Sequence, residues 1–361
     1  MKNNIFFLTV LLIVTMVFPV MTACQNSGGK SKDRGYSFVN DTAQAKILIY
    51  CGQNLFSAFW YSDTLEKPFL YPVLDASGQR ITRAFPLEKV AGERTDHPHH
   101  VGVWFNYGDV NGFDFWNNSY AIPPKEKPKY GRIVVQGIPA VSSGNGKPSS
   151  LSYSAVWRTE TGKDLLYEST WYVFDAGDSV RIIKRNTRLR ALNETVVFTD
   201  NKEGMLGLRV ARFLEMPSTE PVVLTDSHGK ITSVPVADNS GVTGNYIGSS
   251  GKEGDAVWGT RNNWVTLCGE NQGRKVSVTL FDHPSNPGYP AHFHARGYGL
   301  FAVNNLGQQV FNPKEEKQIF TLKPGQELVF NYMIVICSGK WLSREEADKL
   351  FSGFSREQPG K

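Results

Sequence analysis

The chain has 361 residues, of which 40% are hydrophobic and 20% charged, and its formal net charge is +5. The positive charge is dispersed, with no basic stripe interleaved with aromatic residues, which excludes nucleic acid as an expected partner. Four cysteines without a CxxC pair indicate neither a zinc knuckle nor a disulfide framework, and the three beyond Cys24 are expected to be small buried hydrophobic residues.

The N-terminus resembles a bacterial lipoprotein signal. Lys2 precedes an apolar run, 5–20, and small residues then lead to Cys24. In such signals the cysteine is acylated and becomes the new N-terminus, so we expect a signal peptide over 1–23 and a lipid anchor at Cys24 in the cell envelope. Because Gln25 rather than aspartate follows, the outer membrane is the expected location. An ordinary cleaved secretion signal is the alternative.

Residues 24–37 are polar and rich in glycine, serine and lysine. Such a stretch buries too little apolar surface to offset the entropy of ordering it, so we expect a flexible tether. The remaining residues, 38–361, are enough for one large domain. Within them, the segment 226–262 is rich in Gly, Ser, Asn and Thr and is either a long loop over a sheet or a domain boundary. We favour a single domain.

Short β-branched and aromatic runs separated by turn sequences predict strands along the whole chain. The runs Lys46–Cys51 and Leu55–Trp60 are separated by Gly-Gln-Asn, which indicates a hairpin. Further strands are predicted at 132–138, 151–158, 165–174, 179–189, 194–199, 206–213, 264–268, 275–281, 299–303, 317–322 and 327–336. The only predicted helix follows a capping box, Ser343 to Glu346. The pattern predicts an all-β fold, a large antiparallel β-sandwich with a short C-terminal helix.

A first histidine cluster, His97, His99 and His100, places three of the chain's seven histidines within four positions. Arg94 and Asp96 lie just before them and supply charged partners. The proline inside the cluster prevents a regular central strand, so the cluster is expected in a loop or at a sheet edge.

An acidic and aromatic segment follows the first cluster. It begins with Trp104 and continues through Asp109, Asp114 and Trp116. Carboxylates accept hydrogen bonds from hydroxyl groups, and aromatic faces cover the apolar face of a pyranose ring, so this segment predicts a sugar site. The alternative for either tryptophan is a place in the core.

A second cluster, His292 and His294, lies far along the chain and alternates with an apolar residue. Both histidines are therefore expected on one face of a strand, with Arg296 beside them. Between the clusters, Glu203 and Arg209 flank a glycine-containing strand entrance. Glu203 is the carboxylate best suited to be a general base, although a solvated turn is the alternative.

Five histidines in two clusters with arginine neighbours indicate a site, provided that the clusters share one pocket. We favour acid-base chemistry on a sugar, of the epimerase, lyase or hydrolase type, because the first cluster lacks the spacing of a known metal motif. The acid and base candidates are His97, His99, His294 and Glu203. The candidate substrate-binding residues are Arg94, Asp96, His100, Trp104, Asp109, Asp114, Trp116, Arg209, His292 and Arg296, with the arginines binding oxygen.

No cofactor is expected in this interpretation, and the partners are a carbohydrate and, through Cys24, a membrane. Two alternatives remain open. One is a metal-dependent oxygenase or hydrolase in which the clustered histidines bind a divalent metal. The other is a glycan-binding lipoprotein without chemistry.

Several of these segments also resemble a bacterial family of unknown function whose members are often labelled PmoA-like or methane oxygenase PmoA. The resembling segments are 94–116, 202–209, 258–261, 283–287 and 294–301. The resemblance covers nearly the whole chain after the tether and departs at Val101 and Asn305, neither of which is a candidate acid or base. No apolar run after the signal is long enough to span a membrane, so neither methane oxidation nor copper is expected.

The long antiparallel pattern, with histidine and glutamate at the ends of strands, is similar to galactose-mutarotase-like supersandwiches. That resemblance implies the same supersandwich fold for residues 38–361. It implies sugar chemistry only as a reaction class.

Overall fold

Twenty-one strands, one α-helix and three short 3-10 helices form the regular structure of residues 35–144 and 148–358, the part of the chain that the computed structural model describes. The strands are β1 (Tyr36–Asp41), β2 (Lys46–Cys51), β3 (Asn54–Trp60), β4 (Phe69–Val73), β5 (Val103–Tyr107), β6 (Gly131–Val135), β7 (Ala140–Ser142), β8 (Ser149–Thr159), β9 (Asp164–Ala176), β10 (Val180–Ala191), β11 (Val196–Thr199), β12 (Gly204–Arg209), β13 (Val222–Thr225), β14 (Ile231–Val234), β15 (Asn245–Gly248), β16 (Trp264–Asn271), β17 (Arg274–Asp282), β18 (His292–Arg296), β19 (Leu300–Asn304), β20 (Ile319–Leu322) and β21 (Glu327–Ser338). The 3-10 helices are Lys127–Lys129, Arg212–Leu214 and Gly254–Val257, and the α-helix, α1, is Arg344–Phe354.

Two large antiparallel sheets pack face to face around one apolar core. One sheet has eight strands in the order β1-β2-β3-β4-β5-β12-β19-β18, and the other has nine in the order β15-β16-β17-β21-β10-β9-β8-β6, with β7 beside β8. The core joins Ile47 and Phe301 of the first sheet to Ile183 and Leu280 of the second. Facing apolar surfaces of this kind define a β-sandwich, so the predicted fold class is confirmed.

The local predictions hold in most places. The first hairpin pairs Cys51 with Asn54, and the side chain of Ser343 caps α1 by accepting from the backbone N–H of Glu346. Within the segment 226–262, β15 pairs with β16 in the nine-stranded sheet, whereas β14 pairs with β13 in a separate two-stranded sheet. The three cysteines, Cys51, Cys268 and Cys337, are buried.

The N-terminal boundary differs from the prediction. β1 begins at Tyr36, inside the predicted tether, because its ring packs in the core beside Phe56. The predicted signal peptide, Cys24 and the tether up to residue 34 lie outside the described residues. Within the described ranges, no helix is long and apolar enough to cross a membrane.

Four neighbouring strands at one end of the eight-stranded sheet, β5, β12, β19 and β18, form the part of its outer face on which the site lies. Their inward residues, such as Phe293, belong to the core. On the other face, the strand register places Trp104, Gly207, Ala302 and His294 in one row. Directly opposed residues of antiparallel strands share a face. This outer face therefore receives side chains from both histidine segments.

Gly207 leaves room for two indoles on this face, and its replacement tests that packing. A Cβ at Gly207 would lie 2.4 Å from the ring of Trp104 and 2.9 Å from that of Trp116. We expect Gly207→Ala to lower the free energy of unfolding by about 1–3 kcal/mol, because well-packed cores resist added atoms. Denaturant unfolding measures the change.

The matched control for this substitution is Gly353→Ala. Gly353 lies in α1, and a Cβ there would meet nothing within 4 Å. Alanine favours a helix over glycine by about 0.5–1 kcal/mol, so this variant is expected to be as stable as the parent or slightly more stable. Equal stability of the two variants would contradict the packing described for Gly207.

Candidate functional site

Arg83 holds the first histidine segment from inside. Its side chain is only 1% exposed. The guanidinium donates to the carbonyl oxygens of Arg94 (3.2 Å), Asp96 (2.9 Å), His97 (3.0 Å) and His100 (3.2 Å) and to Oδ1 of Asp96 (2.9 Å). A buried loop would otherwise leave these acceptors unpaired. The same contacts hold His97 at a φ of 44°, a left-handed conformation that is uncommon for a residue with a side chain.

Asp96 joins Arg83 to Arg209. Its Oδ1 accepts from Arg83 at 2.9 Å and from Arg209 at 2.6 Å, and it lies 3.3 Å from Nδ1 of His97. Burial alone would raise the pKa of Asp96, but Arg209, His97 and Arg83 outweigh it and hold the pKa well below its usual range. Asp96 is therefore a permanent anion that organises the loop, not a group that exchanges protons near neutral pH.

Two of the predicted oxygen-binding arginines serve the protein's own framework. Arg94 is 6% exposed, and its Nε donates to Glu215 at 2.8 Å. Arg209 is fully buried and holds Asp96. The predicted direct contact with substrate oxygen is therefore corrected for Arg94 and Arg209, because both guanidinium groups are enclosed with a carboxylate partner.

The turn that follows the second histidine cluster meets the first cluster in a stack of rings. Tyr298, in the turn after β18, lies parallel to His97 with the centroids 5.0 Å apart and the planes at 4°. His97 in turn stacks on His100 at 4.9 Å, and His100 stacks on Trp104 at 5.3 Å. The guanidinium of Arg209 lies 4.9 Å from the centroid of Tyr298. The first histidine cluster and the turn after β18, which are far apart in the chain, are thus in direct contact.

His292 and His294 project from the same face of β18, as their alternation predicted. Their Nδ1 atoms lie 3.0 Å from the carbonyl oxygens of Gly307 and Lys202 respectively. A carbonyl only accepts, so each Nδ1 carries the proton and each Nε2 carries a lone pair. Burial lowers the pKa of both histidines to about 4. Both rings are therefore neutral at pH 7.

Two carboxyl groups of the site have the opposite shift. Burial raises the pKa of Glu203, against the opposing charge of Lys202 at 3.4 Å, and burial also raises the pKa of Asp114. The charge of Asp114 raises the pKa of Glu203 further, whereas His97 lowers it. His97 also lowers the pKa of His294. Glu203 and both histidine segments therefore share one electrostatic environment.

Lys67 belongs to the site although the sequence analysis did not identify it. Its side chain is 3% exposed, its Nζ donates to the carbonyl oxygen of His99 at 2.7 Å, and it lies 5.6 Å from the ring of Trp104. Burial lowers the pKa of Lys67 to about 8, against the opposing charges of Glu66 and Asp114. Burial and the charge of Lys67 together lower the pKa of His99 well below its usual range. A lone lysine before a strand gives no signal of such burial.

The accessible aromatic rings of the site are not the ones predicted for stacking. Trp104 and Trp116 are fully buried in a second apolar cluster, so neither offers a face to a ligand. The half-buried rings are Tyr298 and Trp258, and the exposed guanidinium of Arg296 lies 5.8 Å and 5.7 Å from their centroids. The two tryptophans of the acidic segment are core residues, as the alternative reading held.

Three further polar residues contact other parts of the fold. Oδ1 of Asp109 accepts from the backbone N–H of Gly112 at 2.9 Å in a tight turn. His100 is 2% exposed, and burial lowers its pKa well below the usual range. His283 contacts Ser285 and packs at 4.9 Å on Phe354 of α1. The Asp109 carboxylate thus holds a turn, whereas the buried Nε2 of His100 has no hydrogen-bond partner among the described residues.

The metal alternative finds no ligand set in the described ranges. Among residues 35–144 and 148–358, no group of three or more His, Cys, Asp or Glu side chains is arranged to hold a metal ion. His292 and His294 each use one ring nitrogen on a backbone carbonyl. The remaining nitrogens are suited to accept a proton or a hydrogen bond from a hydroxyl group.

Comparisons with known proteins give a family and distant structural likenesses. A family profile described as "Family of unknown function (DUF6807)" matches residues 46–352. No curated protein matches the chain.

Among solved structures, the chain is similar to the GH36 α-galactosidase AgaB from Geobacillus stearothermophilus, with 12% identity, a TM-score of 0.38, and coverage of 85% of this chain and 41% of that one. It is also similar to AgaA from the same organism in complex with raffinose, with 11% identity, a TM-score of 0.26, and coverage of 74% and 29%. A galactose mutarotase related enzyme from Lactobacillus acidophilus matches with 10% identity, a TM-score of 0.29, and coverage of 84% and 98%. The chain thus spans less than half of each α-galactosidase.

Replacing Arg83 tests its role as the support of the histidine segment. We expect Arg83→Met to lower the free energy of unfolding by about 3–5 kcal/mol, because it leaves four carbonyl oxygens without their buried donor and removes one of the two arginines that pair with Asp96. The control is Arg158→Met, since Arg158 pairs with Asp164 at the surface, where the side chains are 38% and 33% exposed. That pair contributes at most about 1 kcal/mol. Equal losses from the two substitutions, measured by denaturant unfolding, would contradict the role of Arg83.

Proposed function

We propose that this chain, which belongs to the family of unknown function DUF6807, is a carbohydrate-active enzyme that moves protons at a sugar on the outer face of its eight-stranded sheet. The observation that carries the proposal is a pair of groups with opposite pKa shifts that meet at one residue. His294 donates to the carbonyl oxygen of Lys202, and the ammonium of Lys202 lies 3.4 Å from Glu203.

Burial prepares these two groups for complementary roles. It lowers the pKa of His294 to about 4, which keeps the imidazole neutral and its Nε2 available as a proton acceptor. It raises the pKa of Glu203, which favours the protonated carboxyl group. Acid-base catalysis needs a proton acceptor and a proton donor at one substrate, and these opposite shifts favour His294 for the first role and Glu203 for the second. His294 is thus the general base and Glu203 the general acid, the reverse of the roles expected from the sequence.

The reaction follows from these roles. Nε2 of His294 removes a proton from a carbon or hydroxyl group of the sugar or, in hydrolysis, from the attacking water. The carboxyl group of Glu203 delivers a proton to the oxygen where negative charge develops, which in hydrolysis is the leaving-group oxygen. Epimerisation, elimination and hydrolysis all use such a pair. Buried Lys67 adds a positive charge beside this surface, which favours a developing oxyanion.

Recognition of the sugar falls to the accessible groups around the pair. The half-buried rings of Tyr298 and Trp258 offer apolar faces, and Trp258 lies edge-on to His294 at 6.3 Å. Arg296 is exposed beside both rings and can donate to hydroxyl groups. His97, whose side chain is 40% exposed, completes the surface next to Tyr298.

Substitution of the proposed acid and base tests the function. With a panel of aryl glycosides, followed by release of the chromophore, and of free aldoses, followed by polarimetry, we expect Glu203→Gln and His294→Ala each to lower kcat by about 100- to 10,000-fold. The control is His228→Ala, because His228 is exposed in the turn between β13 and β14. Retained turnover in both site variants would refute the acid-base assignment, whereas binding without turnover by the parent protein would support the glycan-binding alternative.

The pH dependence of activity tests which residue is the base and which is the acid. Below a pH of about 4, His294 becomes protonated and loses its acceptor, so activity falls on the acid side. Activity also falls as pH rises through the raised pKa of Glu203, because the acid loses its proton. Activity that instead increases as His294 becomes protonated would reverse the assignment, and turnover that depends on an added divalent metal would favour the metal alternative.

We also propose that the chain is a lipoprotein anchored through Cys24. The support is the sequence alone, a basic residue and an apolar run that end in small residues before the cysteine. Labelled palmitate is expected to enter the parent protein and to be absent from Cys24→Ser, which should leave the membrane fraction. Label retained in Cys24→Ser would exclude this anchor, and secretion of an unlabelled parent protein would favour the ordinary signal peptide.

A further inference from the structure

A second cleft, with a volume of about 570 Å³, opens on the nine-stranded sheet. Its floor is formed by β9, β10 and β21, one wall by the end of α1, and the other by β7 and the start of β8. Phe354 and Glu357 mark the first wall, and Ser142 and Pro148 mark the second. Small-molecule sites commonly have volumes of about 300–1,000 Å³. The volume of the cleft therefore falls within the range of small-molecule sites.

Trp171 supplies an aromatic face to this cleft. It is 48% exposed, an unusual exposure for an indole in the middle of a sheet. The register sets it between Asn186 on β10 and Ser152 on β8, which places all three on the outward face. Within the described residues, no other ring and no cationic group stacks on Trp171. The indole is thus free to cover the apolar face of a pyranose ring.

Paired amides lie beside the indole. Nδ2 of Asn186 donates to Oδ1 of Asn331, and Nδ2 of Asn331 lies 3.2 Å from Oγ of Ser285. An amide group has two donor hydrogens and an oxygen with two lone pairs, so each retains capacity for a ligand. Groups that donate and accept together match the hydroxyl groups of a sugar.

The charges at the cleft are compensated. Lys184 pairs with Glu357, and Arg188 pairs with Glu327 at 2.7 Å. An anionic ligand would have to displace a carboxylate from each cation, whereas a neutral ligand leaves both pairs intact. The charge pattern therefore favours a neutral ligand.

From these features we infer that the cleft is a second carbohydrate-binding site, which takes a segment of a neutral oligosaccharide chain. It lies on the outer face of the sheet opposite the one that carries His294 and Glu203. Because the two sheets pack through their inner faces, the two sites open on different sides of the sandwich. The inference does not depend on the proposed chemistry, since binding at the second cleft requires none of the acid or base residues.

Affinity electrophoresis of the full chain tests the inference with four neutral polysaccharides, hydroxyethylcellulose, amylose, galactomannan and arabinoxylan. We expect at least one of them to retard the parent protein, and Trp171→Ala to weaken that retardation by about tenfold, the effect of losing an aromatic contact. The matched control is Trp341→Ala. Trp341 is 45% exposed, but the ammonium of Lys275 lies over its ring at 4.6 Å, and its Nε1 donates to Gly269.

Each outcome decides for or against the second site. Weakened retardation in Trp171→Ala, with parental retardation in Trp341→Ala and His294→Ala, supports it. Parental retardation in Trp171→Ala, loss in His294→Ala alone, or no retardation of the parent protein by any of the four polysaccharides overturns it. Retardation by polygalacturonate alone also overturns it, because that polymer is anionic. Turnover of the sugar substrates is measured for Trp171→Ala and His294→Ala as well. If Trp171→Ala keeps its turnover and His294→Ala loses it, the proposed chemistry is supported whatever the result at the second cleft.

Discussion

A single buried guanidinium supports the site on the eight-stranded sheet. Arg83 gathers the backbone of residues 94–100 around itself, so a segment with no regular secondary structure acquires a defined shape. The same cation fixes Asp96, and Asp96 fixes Arg209. A buried charge without partners is very unfavourable, so the arrangement of Arg83, Asp96 and Arg209 has few alternatives. The imidazole rings of the segment are therefore held in fixed positions.

The antiparallel register brings the second segment to the first. Gly207 lies between Trp104 and Ala302 in the row across the sheet. Because it has no side chain, the indole of Trp104 can occupy the space above it. His294 ends the same row, and Tyr298, in the following turn, stacks on His97. The contact between the first histidine cluster and the turn after β18 thus depends on the order of the strands and on the space that Gly207 leaves.

Burial has opposite consequences for the two groups that carry the proposed chemistry. It favours the uncharged form of any ionisable group, which for His294 is the base and for Glu203 is the acid. One environment therefore favours both partners of a proton transfer. The cleft at Trp171 differs, because its charges are paired near the surface and its ligand contacts are neutral.

The sequence by itself determined the strand pattern, the capped C-terminal helix, and the alternation that puts His292 and His294 on one face, because these depend on near neighbours in the chain. It also identified the segments that meet at the site. Only the tertiary structure decided which charged groups can contact a ligand. Arg94 donates to Glu215, which is far away in the chain, and Lys67 is buried by residues that are not its neighbours in the sequence. The direction of each pKa shift, and hence the roles of acid and base, depends on burial, which is a property of the packed fold and not of residue spacing.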